Sequence, residues 1–249
     1  MGIWLTDALC LQHEVAIFDN DIERLKFVFN TRRLTSYDQI SEFGPELLIN
    51  AVTLKFTIDT FKAVLPYLPK ECILSDIASV KTGLYEFYQQ SGHRFVSTHP
   101  MFGPTFANLK ELSRHHAIII SESDHMGKAF FKDFYGSLGL NIHDYSFDGH
   151  DQTIAYSLSI PFASSMVFAA CMKPQKAPGT TFTKHLDVAK GLLSEDDYLL
   201  SEILFNPYSM PQIQNIVGQL NDLLSIIEEK NSDEMKDYLT VLRNNIKSN

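Results

Sequence analysis

Short apolar runs punctuate the first part of the chain at regular intervals. They are EVAIFD (14–19), PELLINAVT (45–53), ECILSDIAS (71–79), HRFVSTHP (93–100), HAIIIS (116–121) and LGLNIHDYS (138–146). Each is nearly continuous rather than alternating, and rich in β-branched and aromatic residues. Such runs are strands buried on both faces, and the helical patterns between them (TFKAVLPYL, and 125–138) supply crossovers. The pattern predicts a doubly wound α/β sheet, mostly parallel. After about residue 150 the period becomes helical. A broad pattern covers 151–173, where Pro161 is expected to make a kink or a helix start. A loop, KPQKAPGTTF, precedes two or more helices, in DVAKGLLSEDDYLLSEIL and MPQIQNIVGQLNDLLSIIEEK. In the last, Ile213, Ile216, Leu220, Leu223 and Leu224 share a face. The helical pattern fades near Tyr238 into a polar tail. The expected domains are 1–149, a sheet domain, and 150–249, all helical. The apolar helix faces are buried either within the chain or against a second copy.

Composition narrows the class. The 249 residues are 45% hydrophobic and carry a formal net charge of −9 with no basic block, which disfavours non-specific nucleic-acid binding. Cys10, Cys72 and Cys171 lie far apart without metal-ligand spacing, so they read as reduced, packed thiols of a cytoplasmic protein, and no metal site is expected. The longest apolar run, near 166–172, is short for a membrane span, and no signal-peptide pattern opens the chain.

The opening stretch, MGIWLTDALCLQHEVAIFDND, resembles the second half of a dinucleotide fingerprint. In the full motif, G-x-G-x-x-G follows a strand and an acidic residue lies about 20 residues on. Gly2 falls at the third glycine, and Asp19 ends the next strand. A carboxylate there accepts hydrogen bonds from ribose hydroxyls and repels a 2′-phosphate, which favours NAD over NADP. Thr53, closing the second apolar run, joins Gly2 and Asp19 as a cofactor candidate. Alternatively, Gly2 is a plain N-terminal residue and Asp19 a strand-end turn. A methionine directly before a mid-motif glycine gives the expectation that Met1 is internal to a longer natural chain, with one strand and G-x-G-x upstream.

Two segments carry candidate chemistry. In SDIASVKTGL (75–84), Ser79 lies near the carboxyl end of a strand, where open α/β sheets bind ligands. In STHPMFGPTFANL (97–109), His99 occupies the same position on another strand, followed by Pro100. The D-x-x-S-V-K motif (Asp76, Ser79, Val80, Lys81) and H-P-M-F-G-P (His99 to Pro104), with His150–Asp151 and LLSEDDYLLSEIL, resemble the prephenate/arogenate dehydrogenases of tyrosine biosynthesis. The resemblance implies a Rossmann-type domain, NAD, and a small cyclohexadiene substrate with a 4-hydroxyl and a ring carboxylate. Hydride would leave C4 for the nicotinamide, CO2 would leave, and the ring would become aromatic. His99 matches the family's catalytic histidine, which accepts the hydroxyl proton, and Ser79 the serine that orients it. Activity should then rise with pH through the histidine titration.

The pattern also departs from the family. The H-x-x-H positions after His150–Asp151 fall on Ser159 and Phe162, and the arginine that grips a carboxylate falls on Asp187. A dianionic substrate still needs polar and cationic partners, so Ser159, Lys184 and His185 are the candidates. Lys81 could cap or pair locally instead of touching ligand. Competing readings are another two-domain NAD(P)-dependent dehydrogenase and a non-catalytic binding protein of the same fold. The first expects a lysine or aspartate on the long helix, where SIPFASSM offers neither. A homodimer through the helical domain is the expected assembly.

Overall fold

The computed structural model describes residues 1–103 and 112–247; Pro104 and the rest of the motif to 109 lie outside the described residues. The chain divides into two compact units, Met1–Thr153 with Asp196–Glu202, and Ile154–Glu195 with Ile203–Asn249.

The first unit opens with helix α1 (Gly2–Leu9), then strands β1 (Ala16–Phe18) and β2 (Arg32–Leu34), helix α2 (Asp38–Phe43) and strand β3 (Leu47–Asn50). Helix α3 (Thr57–Val64), β4 (Ile73–Asp76), α4 (Leu84–Ser91), β5 (Phe95–Pro100) and β6 (His116–Ile120) follow. Helix α5 (His125–Ser137), β7 (Asn141–Tyr145) and the long α6 (Phe147–Cys171) complete the order. β1 and β2 form a parallel pair, and β3-β4-β5-β6-β7 form a second sheet in that order. All its pairs are parallel except β5–β6, which runs antiparallel with His99 opposite Ile118. All six apolar runs contain a strand. The seventh strand, β2, has the sequence RRL with both arginines exposed, so no apolar run announces it.

Alternate residues of each strand point to opposite faces. Phe95, Ile118 and Ile120 join Phe61, Leu74, Leu84 and Tyr88 in one cluster. Val96, Ala117 and Ile119 join Phe131, Tyr135 and Leu140 in the other. Both faces of the central strands are therefore covered, and every residue of β5 is buried. A smaller cluster around Leu34, Ile40 and Val64 includes Ala16 and Phe18 of β1 and Leu48 of β3, and so seats the two-stranded pair beside the larger sheet.

Helix α5 packs on β5 at unusually close range. Asp124 caps it, its Oδ1 accepting from the backbone N–H groups of Met126 (3.0 Å) and Gly127 (3.3 Å). A Cβ at Gly127 would stand 2.6 Å from Cβ of Val96. Glycine to alanine in a helix interior normally stabilises by about 0.5–1 kcal/mol. Here the buried Val96 side chain, rooted at its Cβ, blocks the methyl, so Gly127→Ala is expected to destabilise by about 1–3 kcal/mol, read from the urea midpoint.

The second unit is helical. Besides the later part of α6 it holds α7 (Thr180–Leu192), the end of α8 (Asp197–Leu204), α9 (Ser209–Glu229) and α10 (Ser232–Lys247). Four expectations are corrected. Of the two outcomes expected for Pro161, a kink or a helix start, the start is ruled out: α6 runs through Pro161, whose missing N–H forgoes one backbone hydrogen bond. As a result α6 is, among the described residues, a helix long and apolar enough to cross a bilayer by length and composition, where only a short apolar run was expected. Its first turns are instead built into the first unit, where Phe147 joins the core and His150 is fully buried. The supposed polar tail after Tyr238 is the later part of helix α10, amphipathic to Lys247, since its apolar residues are spaced between charges instead of run together. Finally, only Cys72 is a buried thiol, pushed up to about 11 chiefly by burial, whereas Cys171 is exposed.

Candidate active site

The carboxyl ends of β4 and β5 carry the polar groups that this apolar sheet tolerates. Asp76 closes β4 and is fully buried, which requires compensation. Its Oδ1 accepts from the Lys81 ammonium (2.5 Å) and from the Ala78 backbone N–H (3.0 Å). Its Oδ2 accepts from the Tyr88 hydroxyl (2.6 Å). Lys81 also donates to the Thr98 carbonyl (2.7 Å), so the chain just before His99 is tied to the ion pair. The turn that brings Lys81 back under β4 ends at Gly83, whose φ of 74° suits glycine, and leads into α4. Lys81 thus pairs locally, with Asp76. Burial lowers its pKa, against the opposing attraction of Asp76, and burial with the neighbouring Asp76 charge drives that of Tyr88 well up.

His99, 8% exposed, points its Nδ1 at Nε2 of His150 (3.0 Å). His150, in the first turn of α6, meets the Asp151 carboxylate through Nδ1 (2.9 Å). Asp151 also accepts from the Lys81 backbone N–H. Burial, then the neighbouring His150 and Lys81, hold the His99 pKa well below the ordinary histidine value. Burial and Lys81 push His150 down to about 3, and burial lifts Asp151 to about 6. Both rings are therefore neutral near pH 7.

The other sequence candidates are placed as follows. Ser79 is half-buried in the bend after β4 and makes no hydrogen bond to His99 among the described residues; the side chain bonded to that ring is His150. Gly2 opens α1, where an added Cβ would meet Cβ of Ala51, just after β3, at 3.5 Å. Asp19 is half-buried after β1, its Oδ1 accepting from the Asp21 N–H (2.9 Å). Thr53 is exposed in the turn after β3, which Asn50 braces by donating to the Thr57 carbonyl (2.8 Å). A cleft lined by Leu54, Thr57 and Ile58 from that turn, and by Val80 and Thr82 beside Lys81, lies at the carboxyl ends of β3 and β4. In the second unit, Ser159 is buried with its hydroxyl against that of Ser209 (2.7 Å), and Lys184 and His185 are exposed on α7. Sequence reasoning assigned no site role to Asp76, Lys81, His150 or Asp151, although the first two sit in D-x-x-S-V-K and the others form the His–Asp pair opening α6.

A doubly wound sheet with polar groups gathered at its carboxyl strand ends defines a Rossmann-type nucleotide-binding unit. Residues 18–138 match the family model "Prephenate dehydrogenase, nucleotide-binding domain". That segment is similar to the nucleotide-binding domain of prephenate dehydrogenases. A probable arogenate/prephenate dehydrogenase of Methanocaldococcus jannaschii is 22% identical over 203 residues, 76% of this chain. The chain spans only 45% of that relative's length. Among solved structures, prephenate dehydrogenase from Aquifex aeolicus in complex with hydroxyphenyl propionate and NAD+ is similar at a TM-score of 0.84 and 20% identity, over 100% of this chain and 94% of that one. Synechocystis arogenate dehydrogenase is similar at 0.76 and 15% identity, over 97% and 93%. At these identities the structural likeness speaks to the fold.

Proposed function

We propose that the chain is an NAD-dependent dehydrogenase that oxidatively decarboxylates prephenate to 4-hydroxyphenylpyruvate, or arogenate to tyrosine. The observation that carries this reading is His99: a neutral, buried imidazole at the carboxyl end of β5, on a nucleotide-binding sheet. The residues fit a dinucleotide. Gly2 opens α1 beside the end of β3, where the third glycine of the fingerprint would lie, with room for ordinary contact to Ala51, and Asp19 uses one carboxylate oxygen locally, leaving the other to face ribose hydroxyls. Thr53 would line the same site. When bound, oxidised NAD accepts the hydride from C4.

His99 takes the proton of the 4-hydroxyl at Nε2, since Nδ1 is engaged by His150. Because burial holds His99 neutral, it keeps its lone pair well below its ordinary titration range, so the acid limb of activity does not report protonation of this ring. Ser79 is assigned to orient the hydroxyl, and Ser159, Lys184 and His185 to the substrate. Lys184 supplies the positive charge that a carboxylate needs, whereas the Ser159 hydroxyl is already engaged.

In this reading 1–149 is the dinucleotide-binding domain and 150–249 a helical substrate and dimerisation domain of a cytoplasmic homodimer. Exposed Val217, Leu220, Leu224 and Ile227 on α9 support the dimer, because a continuous apolar helix face costs free energy in water. The test is NAD titration followed by NADH absorbance with prephenate and with arogenate. Turnover of one substrate is expected; neither binding nor turnover would leave a non-catalytic protein of the same fold.

A further inference from the structure

We propose that His150 and Asp151 complete a proton relay with His99: they hold its proton on Nδ1 and its lone pair on Nε2, and they carry the proton taken at Nε2 onto the Asp151 carboxylate. An ionised carboxylate only accepts, so the 2.9 Å contact to Asp151 requires the His150 proton on Nδ1. A neutral imidazole has one proton, which leaves Nε2 of His150 as an acceptor. The 3.0 Å contact between the rings is then donated by Nδ1 of His99, and Nε2 of His99 must carry the lone pair. Asp151 is fixed in turn by the Lys81 backbone N–H, which can only donate. The tautomer that proton abstraction needs is thus specified two residues away.

The same chain solves a problem of basicity. A ring held well below the usual histidine range is a poor resting place for a proton. When Nε2 of His99 takes one, its Nδ1 proton passes to Nε2 of His150, and the Nδ1 proton of His150 passes to Asp151. One proton enters, one N–H bond is exchanged for another on each ring, and neither ring ends charged. With Asp151 at about 6 and His150 at about 3, the carboxylate is the preferred terminus. Relay to the acid is not the rule for hydrolase triads, where the aspartate stays ionised; the ordering of the groups here is the reverse. Among the groups facing Asp151 are His150 and Asp148 from its own helix and, from the turn after β4, the backbone and ammonium of Lys81, itself paired with Asp76. Protonating Asp151 from solvent reverses the chain and puts the His99 proton on Nε2, where it can no longer accept.

The turnover arm of the test rests on the proposed dehydrogenase activity; the spectroscopic arm does not. Ring nitrogens of 15N-histidine-labelled protein are followed by NMR from about pH 8 to about pH 5. The expected result is a neutral His99 protonated on Nδ1 at the upper end that inverts to Nε2–H near pH 6, with no imidazolium signal. In Asp151→Asn the pattern should no longer change with pH. That variant should also lose the acid limb of kcat near pH 6, with kcat lowered within about the 10²–10⁴-fold of general-base help and the KM for NAD unchanged. An Nε2–H tautomer of His99 at pH 8, or an imidazolium form of His99 or His150 appearing through pH 6, would overturn the relay. If Asp151→Asn does not fold, the wild-type titration still decides. A chain that inverts on schedule yet makes no NADH retains the relay and loses the dehydrogenase reading; turnover without inversion does the opposite.

Discussion

Lys81→Met is expected to lower folding stability by about 3–5 kcal/mol, the cost of leaving a buried charge without its partner. The side chains of Lys81 and Asp76 are both 0% exposed, so neither can recover water without opening the sheet. Methionine fills much of the lysine volume, which isolates the electrostatic part of the change. What remains is a carboxylate with one backbone donor and the Tyr88 hydroxyl, in a site that was solvated by an ammonium. The Thr98 carbonyl also loses its Lys81 donor, just before His99. Urea unfolding followed by circular dichroism measures the loss. The double variant Asp76→Leu/Lys81→Met separates charge from packing, because replacing both members of a buried pair is often neutral or stabilising. A single variant that unfolds at the wild-type midpoint would mean that the Asp76 carboxylate does not depend on the Lys81 charge, against the three-donor geometry.

The sheet was legible because its chemistry is one-dimensional. Runs such as HAIIIS must be strands covered on both sides, and the structure puts Ile118 and Ile120 on one face and Ala117 and Ile119 on the other. β2 was not legible, since Arg32 and Arg33 are paired by neighbouring backbone and not by apolar burial. The reversal between β5 and β6 leaves no mark in composition either, because direction changes the hydrogen-bond pattern and not the residues that are buried. At the site, His99 and the D-x-x-S-V-K segment could be found as polar residues at strand ends. The bond from His99 to His150 spans 51 positions and joins a strand to a helix that the sequence assigned to another domain. Only folding brings those rings together. The same holds for Lys81: its spacing from Asp76 permits a local pair, and burial of both partners makes that pair a structural necessity.

His99→Asn is expected to reduce kcat by about 10²–10⁴-fold while NAD affinity stays unchanged. Asparagine is chosen because its amide can still donate to Nε2 of His150, so the ring behind it keeps a partner and the rest of the relay keeps its order. What is lost is the lone pair at the position of Nε2, since an amide nitrogen cannot take up a proton near neutrality. If that lone pair acts only as the 4-hydroxyl proton departs, kcat and kcat/KM should fall together, the signature of an interaction made in the transition state. A rise in KM alone would instead make His99 a binding group. The pH profile gives the second check. On the proposed relay, wild type should lose proton acceptance as Asp151 protonates near 6; in the variant the residual rate has no acceptor to lose and should be flat through that region. Wild-type turnover with intact NAD binding would remove His99 from the chemistry altogether, and with it the reason for a carboxylate and two neutral imidazoles to be aligned in one buried chain.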